Sequence, residues 1–399
     1  MVSLEKIAHL AEECRFDSLG PMMGQTIEVD SEKLAALGAG TRHDVCASTY
    51  SPRSPAMPGI CHAFSHDGRC VSLFKTLYTN SCTHQCSYCT NAVGCTHRKR
   101  TFSYTPEELA RITLALYRSN YIEGLFLSSG SGGDEDRIME CIVETAWLLR
   151  KNYCFQGYIH LKVLPGSSQS RIEEAVELAD RVSINLEAAS TSRMGEICPT
   201  KDYESDILQR QRYIRDLITE TKLPAGQTTQ LVVGAAGESD LEIFRRVLYE
   251  YKEIGVRRAY YSAFSPQRGT PFEAKSPQPL WREHRLYQMD WLYRIYHFHP
   301  DEIRCAFDED GFLPDADPKM AVAMQTLVLP VDPNSASYSE LLRVPGIGPA
   351  SARRIMGIRQ RRRITKREDL ARLGVRVRRA SPFLKINGWI NSTLEMWSA

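Results

Sequence analysis

The stretch YTNSCTHQCSYCTN, Tyr78 to Asn91, sets Cys82, Cys86 and Cys89 at intervals of four and three. A closed tetrahedral zinc site takes four ligands, and this run stops at three. It follows directly on CVSLFKTLYT (Cys70–Thr79), a short, apolar, β-rich segment that reads as a strand. Three thiols are therefore expected where a strand ends, and what surrounds that strand decides the fold.

Downstream, strand-like and helix-like segments alternate. TPEELARITLALYRSN opens a helix with Thr105 as N-cap, Pro106 at the first helical position and Glu108 closing a capping box. GLFLSSG (Gly124–Gly130) reads as a buried strand, and a helix follows over DEDRIMECIVETAWLLRK. GYIHLKVLPG, RVSINLEAAS, TTQLVVGAAG and RRAYYSAFSP continue the series, with helical patterns such as RIEEAVELAD and SDLEIFRRVLYEYKEIG between them. Six βα-type units thus lie between residues 70 and 300. Near-continuous apolar strands alternating with helices predict an α/β fold with a parallel, helix-covered sheet. Six units rather than eight predict a partial, TIM-like (β/α)6 barrel, with its chemistry at the C-terminal ends of the strands.

The expected domains are an N-terminal extension or lid (1–69), the partial barrel (70–300), a helical linker (301–336) and a small all-α domain (337–399). The composition, 43% apolar and 25% charged, is that of a globular protein. The N-terminus lacks the basic start and apolar core of a signal peptide, and no apolar stretch approaches the roughly 20 residues of a membrane span. A cytoplasmic protein with no membrane partner is expected. Twelve cysteines in 399 residues are too sparse for a disulfide scaffold and look like ligands, reactive thiols or core fillers. Residues 341–399 hold 14 Lys and Arg against 3 Asp and Glu, a net of +11. The other 340 residues then carry −9 of the chain's +2. A basic tail on an acidic body points to a polyanion; the plainer reading is a solvated helical face.

Thiolates bind zinc or iron–sulfur clusters, and for zinc a fourth ligand would come from His84, Cys95 or His97. Three ligands in one tight loop at a strand end fit a four-iron cluster with one iron free to chelate a substrate. C-x3-C-x2-C after a strand, with Tyr88 just before the third cysteine, resembles the radical S-adenosylmethionine (radical SAM) superfamily. That resemblance implies a [4Fe-4S] cluster on Cys82, Cys86 and Cys89, with S-adenosylmethionine on the free iron. It further implies reductive cleavage to a 5′-deoxyadenosyl radical that takes hydrogen from a substrate, and an electron donor such as ferredoxin or flavodoxin.

By position, the resemblance also marks other strand ends as cofactor-binding. Ser128, Ser129 and Gly130 stand where superfamily members carry a Gly-Gly-Glu-like turn, a departure that leaves the carboxylate role unfilled. Asn185 and Glu187 in SINLEA resemble the polar pair that reaches the ribose or methionine end. Gly234 and Glu238 in VVGAAGE resemble the fifth-strand glycine element, and Ser262 and Phe264 in YYSAF fall on the strand that borders the adenine. Each polar residue is equally readable as a cap or turn-former. Alternation puts His160 and Lys162 on one face of their strand, the cavity side of a barrel. Because a buried cation is costly, they point to a carboxylate or phosphate ligand, or to a structural ion pair.

Upstream, GICHAFSHDGRC holds Cys61, His62, His66 and Cys70, and HDVCAST holds Cys46. Their spacing matches no metal motif, so a lid or clasp near the cluster is expected. Cys46, Cys61 and Cys70 are the candidates for a thiol that donates hydrogen to a substrate radical.

SYSELLRVPGIGPASARRIMGIRQ has the form of a helix-hairpin-helix. Leu341, Leu342 and Val344 end one helix, Pro345 to Gly348 turn, and Ala350, Ala352 and Ile355 begin the next. Glycines let the backbone approach a phosphate, and the new helix N-terminus aims N–H groups at it. Gly346, Ile347, Gly348, Arg353, Arg354 and Arg359 are the expected nucleic-acid contacts, with DNA favoured over RNA; protein docking is the other use of such a hairpin. A hairpin-type DNA glycosylase also carries an iron–sulfur cluster, but on four cysteines after the hairpin, whereas these three precede it.

From GICHAFSHDGRC through LLRVPGIGP the chain resembles the radical SAM family described as DNA modification and repair proteins, with a C-terminal helix-hairpin-helix. That resemblance implies a uracil-DNA-glycosylase-like partner protein and a base-directed reaction. RNA modification, such as tRNA methylthiolation, is the alternative within the enzyme class. A non-catalytic iron–sulfur sensor that binds DNA is the alternative outside it.

Overall fold

Seven strands lie side by side in the order of the sequence: β1 (Ile60–Phe64), β2 (Cys70–Leu77), β3 (Gly124–Ser128), β4 (Tyr158–Lys162), β5 (Arg181–Ser183), β6 (Gln227–Val233) and β7 (Arg258–Ala263). The computed structural model describes residues 30–41, 59–64, 69–97, 100–220, 223–327, 330–386 and 388–390. β2 to β7 are parallel throughout, and helices run between successive strands. This is the expected open (β/α)6 sheet, and all six predicted strands form. β3, β5 and β6 are buried along their whole length, as strands of a parallel sheet are.

The helix Pro106–Arg118 starts as its sequence dictates. Thr105 Oγ1 accepts from the Glu108 N–H and the Glu108 carboxylate accepts from the Thr105 N–H, both at 3.2 Å. Leu109, Ile112 and Leu116 recur at helical spacing on its buried side. Each contributes roughly 1.5–3 kcal/mol by leaving water.

GICHAFSHDGRC was expected to be a lid or clasp, and its first half is instead a strand. β1 pairs antiparallel with β2, Ile60 opposite Phe74 and Phe64 opposite Cys70. Alternation explains it: Cys61 and Ala63 point into an apolar cluster with Val71, Leu73, Phe126, Tyr158 and Ala225, while His62 between them is exposed. The histidine disguised a two-faced edge strand.

The chain divides into two units, Met1–Glu238 with Arg245–Gln278, and Ser239–Phe244 with Pro279–Ala399. The second is helical, with helices Leu280–Arg294, Pro300–Arg304, Pro318–Thr326, Tyr338–Arg343, Pro349–Arg359, Arg367–Arg372 and Val377–Ala380. Leu341, Leu342, Val344, Ile347, Ile355 and Leu370 form its core, and Ala323 from the helix Pro318–Thr326 joins them. No helix among the described residues is long and apolar enough to cross a membrane.

Candidate active site and nucleic-acid interface

β2 delivers the chain to the cysteine loop, and β3 holds the loop in place. The Tyr78 N–H donates to the Ser128 carbonyl at 2.7 Å, the Gly130 N–H to the Thr79 carbonyl at 2.8 Å and the Gly132 N–H to the Ser81 carbonyl at 3.2 Å. Ser129 Oγ lies 3.3 Å from the Thr79 N–H and donates to the Gly130 carbonyl at 2.8 Å. A Cβ at Gly130 would stand 2.1 Å from the Ser81 carbonyl oxygen. The departure from a Gly-Gly-Glu pattern thus has a local use: Ser128, Ser129 and Gly130 brace the segment that enters Cys82.

Within the loop the Cys89 N–H donates to the Cys86 carbonyl at 3.0 Å, and the Asn91 N–H points at Cys89 Sγ at 3.4 Å. Cys82 Sγ lies 3.6 Å from Ser131 Oγ. Cys86 is buried, and its Sγ is 3.0 Å from Cys198 Sγ, 112 residues downstream. The Ser87 N–H donates to the Ile197 carbonyl at 2.8 Å, so the segment after β5 packs directly on the loop. Of this thiol pair Cys86 is the donor. The contact with Cys198, then burial, holds Cys86 well above the ordinary thiol range, and the same bond pulls Cys198 down. Burial pushes the Cys89 thiol up to about 11.

Two further charges frame the thiols. Burial works against the Lys201 ammonium, but the fields of Cys86, Glu187, Cys198 and Cys82 hold it above its ordinary range. Glu187 is buried at φ +62°, a left-handed backbone rare outside glycine. Its N–H donates to the Gln230 carbonyl at 2.9 Å and its carbonyl accepts from Val232 at 2.8 Å, which fixes the strain between β5 and β6. The Tyr88 hydroxyl donates to the Glu187 carboxylate; burial first, then that carboxylate, keep the phenol protonated. Cys82, Cys86, Cys89, Tyr88 and Glu187 therefore come together at the loop. Cys198 and Lys201 were missed: the only signal, CPTK after the fifth strand, has no meaning until the fold brings it to the loop.

The donor set suits a thiolate-bound cluster. The three cysteines are thiols rather than halves of disulfides, share one braced loop, and adjoin a cation that offsets thiolate charge as protons leave on metal binding. His84, by contrast, points to Thr200 Oγ1 at 3.3 Å, and Thr96 Oγ1 is 3.1 Å from His97 Nδ1.

The remaining expected residues scatter in role. Glu238 is buried and its carboxylate accepts from the N–H groups of Gly234 (φ +80°) and Ala236, bracing the turn after β6. Asn185 lines the barrel cavity. Ser262 is half-buried, whereas Phe264 is buried and meets Phe272 edge-on at 6.0 Å. His160 is buried against Ser183, and Lys162 is half-buried one turn of the pleat further along. Cys61 and Cys70 are not brought to the loop. Cys70 begins β2, seven residues before its other end and so roughly 23 Å away at ~3.3 Å per residue. Cys61 is packed in the apolar cluster described above. Cys46 lies outside the described residues.

In the helical unit the hairpin forms between the helices Tyr338–Arg343 and Pro349–Arg359. Gly346 has φ +86°, and a Cβ there would stand 2.6 Å from the Arg376 carbonyl oxygen, so the turn demands glycine. Lys319 Nζ donates to the Ile347 carbonyl at 2.6 Å and the Arg376 N–H to the Gly346 carbonyl at 2.9 Å. Two expectations need correcting. Ile347 is a core residue whose N–H is taken by the Val344 carbonyl. Arg359 turns inward, donating to the Ala336 carbonyl at 2.5 Å. Arg353 and Arg354 are exposed beside the turn.

The chain is similar to known proteins in two regions. The family model described as the Radical SAM superfamily matches residues 76–260, and a helix-hairpin-helix motif matches residues 329–375. Two curated relatives, tRNA-2-methylthio-N(6)-dimethylallyladenosine synthases from two strains of Thermus thermophilus, are each 32% identical over 178 residues, 42% of this chain. The matched region spans only 30% of the length of those relatives. Among solved structures, methylornithine synthase superposes with a TM-score of 0.43 at 13% identity, over 72% of each chain. The FeFe-hydrogenase maturase of Carboxydothermus hydrogenoformans gives 0.41 at 15% identity, over 53% of this chain and 48% of that one.

Proposed function

We propose that this radical SAM enzyme, whose residues 76–260 belong to the radical SAM superfamily, modifies or repairs bases of DNA. The observation that carries the reading is one chain holding both a three-thiol loop at the barrel's strand ends and a basic hairpin unit. Superfamily members use a [4Fe-4S] cluster and S-adenosylmethionine, which when bound supply one-electron cleavage of the sulfonium and hydrogen abstraction. Here Cys82, Cys86 and Cys89 would hold the cluster, giving up their thiol protons. Lys201 keeps its charge and offsets theirs, and Glu187 with Tyr88 fixes the wall of the loop. The strand-end residues Ser128, Gly130, Asn185, Gly234, Ser262 and Phe264 would seat S-adenosylmethionine, Phe264 helping to exclude water. The hairpin would take the DNA backbone through the amides at Gly346 and Gly348 and through Arg353 and Arg354, largely without reading sequence. A base in a duplex must leave the stack to reach such a site.

The test is anaerobic incubation of cluster-reconstituted protein with dithionite and S-adenosylmethionine, with and without DNA. 5′-Deoxyadenosine is expected, and more of it with DNA; none from a protein with a filled cluster would sink the proposal. A second reading, action on tRNA, is favoured by the two relatives named for a tRNA modification. Tighter binding to tRNA than to duplex DNA at matched salt, with tRNA-stimulated turnover, would select it. An iron–sulfur sensor, the reading outside the enzyme class, predicts instead a redox-dependent DNA affinity and no deoxyadenosine.

A further inference from the structure

Cys198 has no part in the proposed reaction, yet it stands against one of the thiols that does. The helix Thr191–Ile197 ends at Cys198, whose N–H donates to the Met194 carbonyl at 2.7 Å and whose carbonyl accepts from the Lys201 N–H at 3.2 Å. The cysteine loop is tied to this stretch on both sides of Cys86. The Ser87 N–H donates to the Ile197 carbonyl at 2.8 Å, and the Gln85 N–H to Thr200 Oγ1 at 3.0 Å. These ties leave the two side chains facing each other, with their Sγ atoms 3.0 Å apart. Both residues are thiols. A disulfide is about 2.05 Å long, so closing the remaining gap of about 1 Å asks for small side-chain rotations and no rearrangement of the backbone.

The other two loop thiols face other groups. Cys82 Sγ lies 3.6 Å from Ser131 Oγ, and Cys89 Sγ meets the Asn91 N–H at 3.4 Å. Contact in space, rather than nearness along the chain, selects the partner of an oxidised Cys86, and Cys198 is in contact although it lies 112 residues away. Access selects the oxidant. Cys86 is 6% exposed and Cys198 0%, which suits a molecule as small as a peroxide and not a bulky disulfide reagent.

We infer that Cys86 and Cys198 form an oxidative modification site: when Cys86 holds no iron, a peroxide converts the pair to a disulfide, which withdraws a cluster ligand until a dithiol reductant restores it. The Cys86 sulfur attacks the O–O bond, which breaks; a water leaves and a sulfenic acid remains. The Cys198 sulfur then attacks the Cys86 sulfur, the S–S bond forms, the S–O bond breaks and a second water leaves. The two thiols give up two electrons and two protons, and the peroxide becomes two waters. A dithiol reverses the change by exchange and ends as its own disulfide. Capture by Cys198 also stops Cys86 short of sulfinic acid, an irreversible product. The inference rests on the reading of Cys86 as a cluster ligand, but the link itself is detected without a cluster.

The experiment treats the full chain, stripped of iron by a chelator and fully reduced, with a small excess of hydrogen peroxide. Remaining thiols are blocked with N-ethylmaleimide, and a non-reducing digest is read by mass spectrometry. A peptide pair joined through Cys86 and Cys198 is expected. Iron and sulfide uptake in thiol-free anaerobic reconstitution should be lost after peroxide and return in full after dithiothreitol. Cys198→Ser should form no such link, carry sulfinic acid at Cys86 after the same dose, and fail to regain uptake with dithiothreitol; Cys198→Ala serves should the serine variant not fold. Joining of Cys86 to Cys82 or Cys89 instead overturns the inference, as does a Cys86–Cys198 link that leaves uptake unchanged. So does recovery of the Cys198 variants equal to that of the unaltered protein. A chain that forms the link yet yields no 5′-deoxyadenosine when loaded refutes the proposed reaction and leaves this site standing; a chain that yields it and never forms the link does the reverse.

Discussion

Replacing Gly130 by alanine would place a methyl group 2.1 Å from the Ser81 carbonyl oxygen, and carbon and oxygen do not approach within 3.0 Å. The loop entering Cys82 must then retreat by about 1 Å or the β3 end must tilt; such overpacking costs roughly 1–3 kcal/mol. Neither side yields freely, because Gly130 N–H is bound to Thr79 at 2.8 Å and Gly132 N–H to Ser81 at 3.2 Å. At about 2–4 °C per kcal/mol, the melting temperature should fall by several degrees. A 1 Å misplacement of a reacting group costs about 10²-fold in rate, so 5′-deoxyadenosine formation should fall far more than stability does. Iron and sulfide content, melting temperature and deoxyadenosine rate are measured together. Gly195→Ala is the control, since a Cβ there meets nothing within 4 Å. A Gly130→Ala protein with full iron content and unaltered rate would refute the claim that β3 positions the cysteine loop.

Four further outcomes are expected. Serine at Cys82, Cys86 or Cys89 should abolish iron binding, whereas Cys198→Ser should keep a full cluster; equal loss at Cys198 by iron analysis would make it a fourth ligand and close the vacancy for S-adenosylmethionine. Lys201→Met removes a cation beside the thiols, so the midpoint potential followed by electron paramagnetic resonance should fall by tens of millivolts, with about 59 mV per tenfold change in a one-electron equilibrium; an unchanged potential argues against that role. Arg353→Ala and Arg354→Ala should each weaken DNA binding evenly across sequences and lower the salt slope by about 1, while Arg359→Ala should act mainly through stability, because its guanidinium is bound to Ala336; gel shifts at several salt concentrations with melting curves separate the two. Burial holds Lys319 down at about 7 despite Asp317, so the unfolded state binds the extra proton above that pH, and stability of the helical unit should rise from about pH 7 toward the ordinary lysine value near 10.4. Lys319→Met should flatten that slope in melting curves; an identical slope would remove Lys319 as its cause.

The hairpin's glycines and the six βα units were legible because each depends on neighbours in sequence: a capping box at Thr105–Glu108, short apolar strands alternating with helical patterns, a Pro-Gly turn whose Gly346 takes φ +86°. β1 was not, since His62 interrupts an apolar run and only pairing with β2 makes the alternation meaningful. Local spacing likewise marked Cys82, Cys86 and Cys89 as the proposed cluster ligands. What only the tertiary structure decided is their company: Cys198 and Lys201 arrive from more than a hundred residues away, and Ile347 and Arg359 turn inward. Short-range rules act through the backbone and can be read along the chain; burial and charge act through space, and no spacing records them.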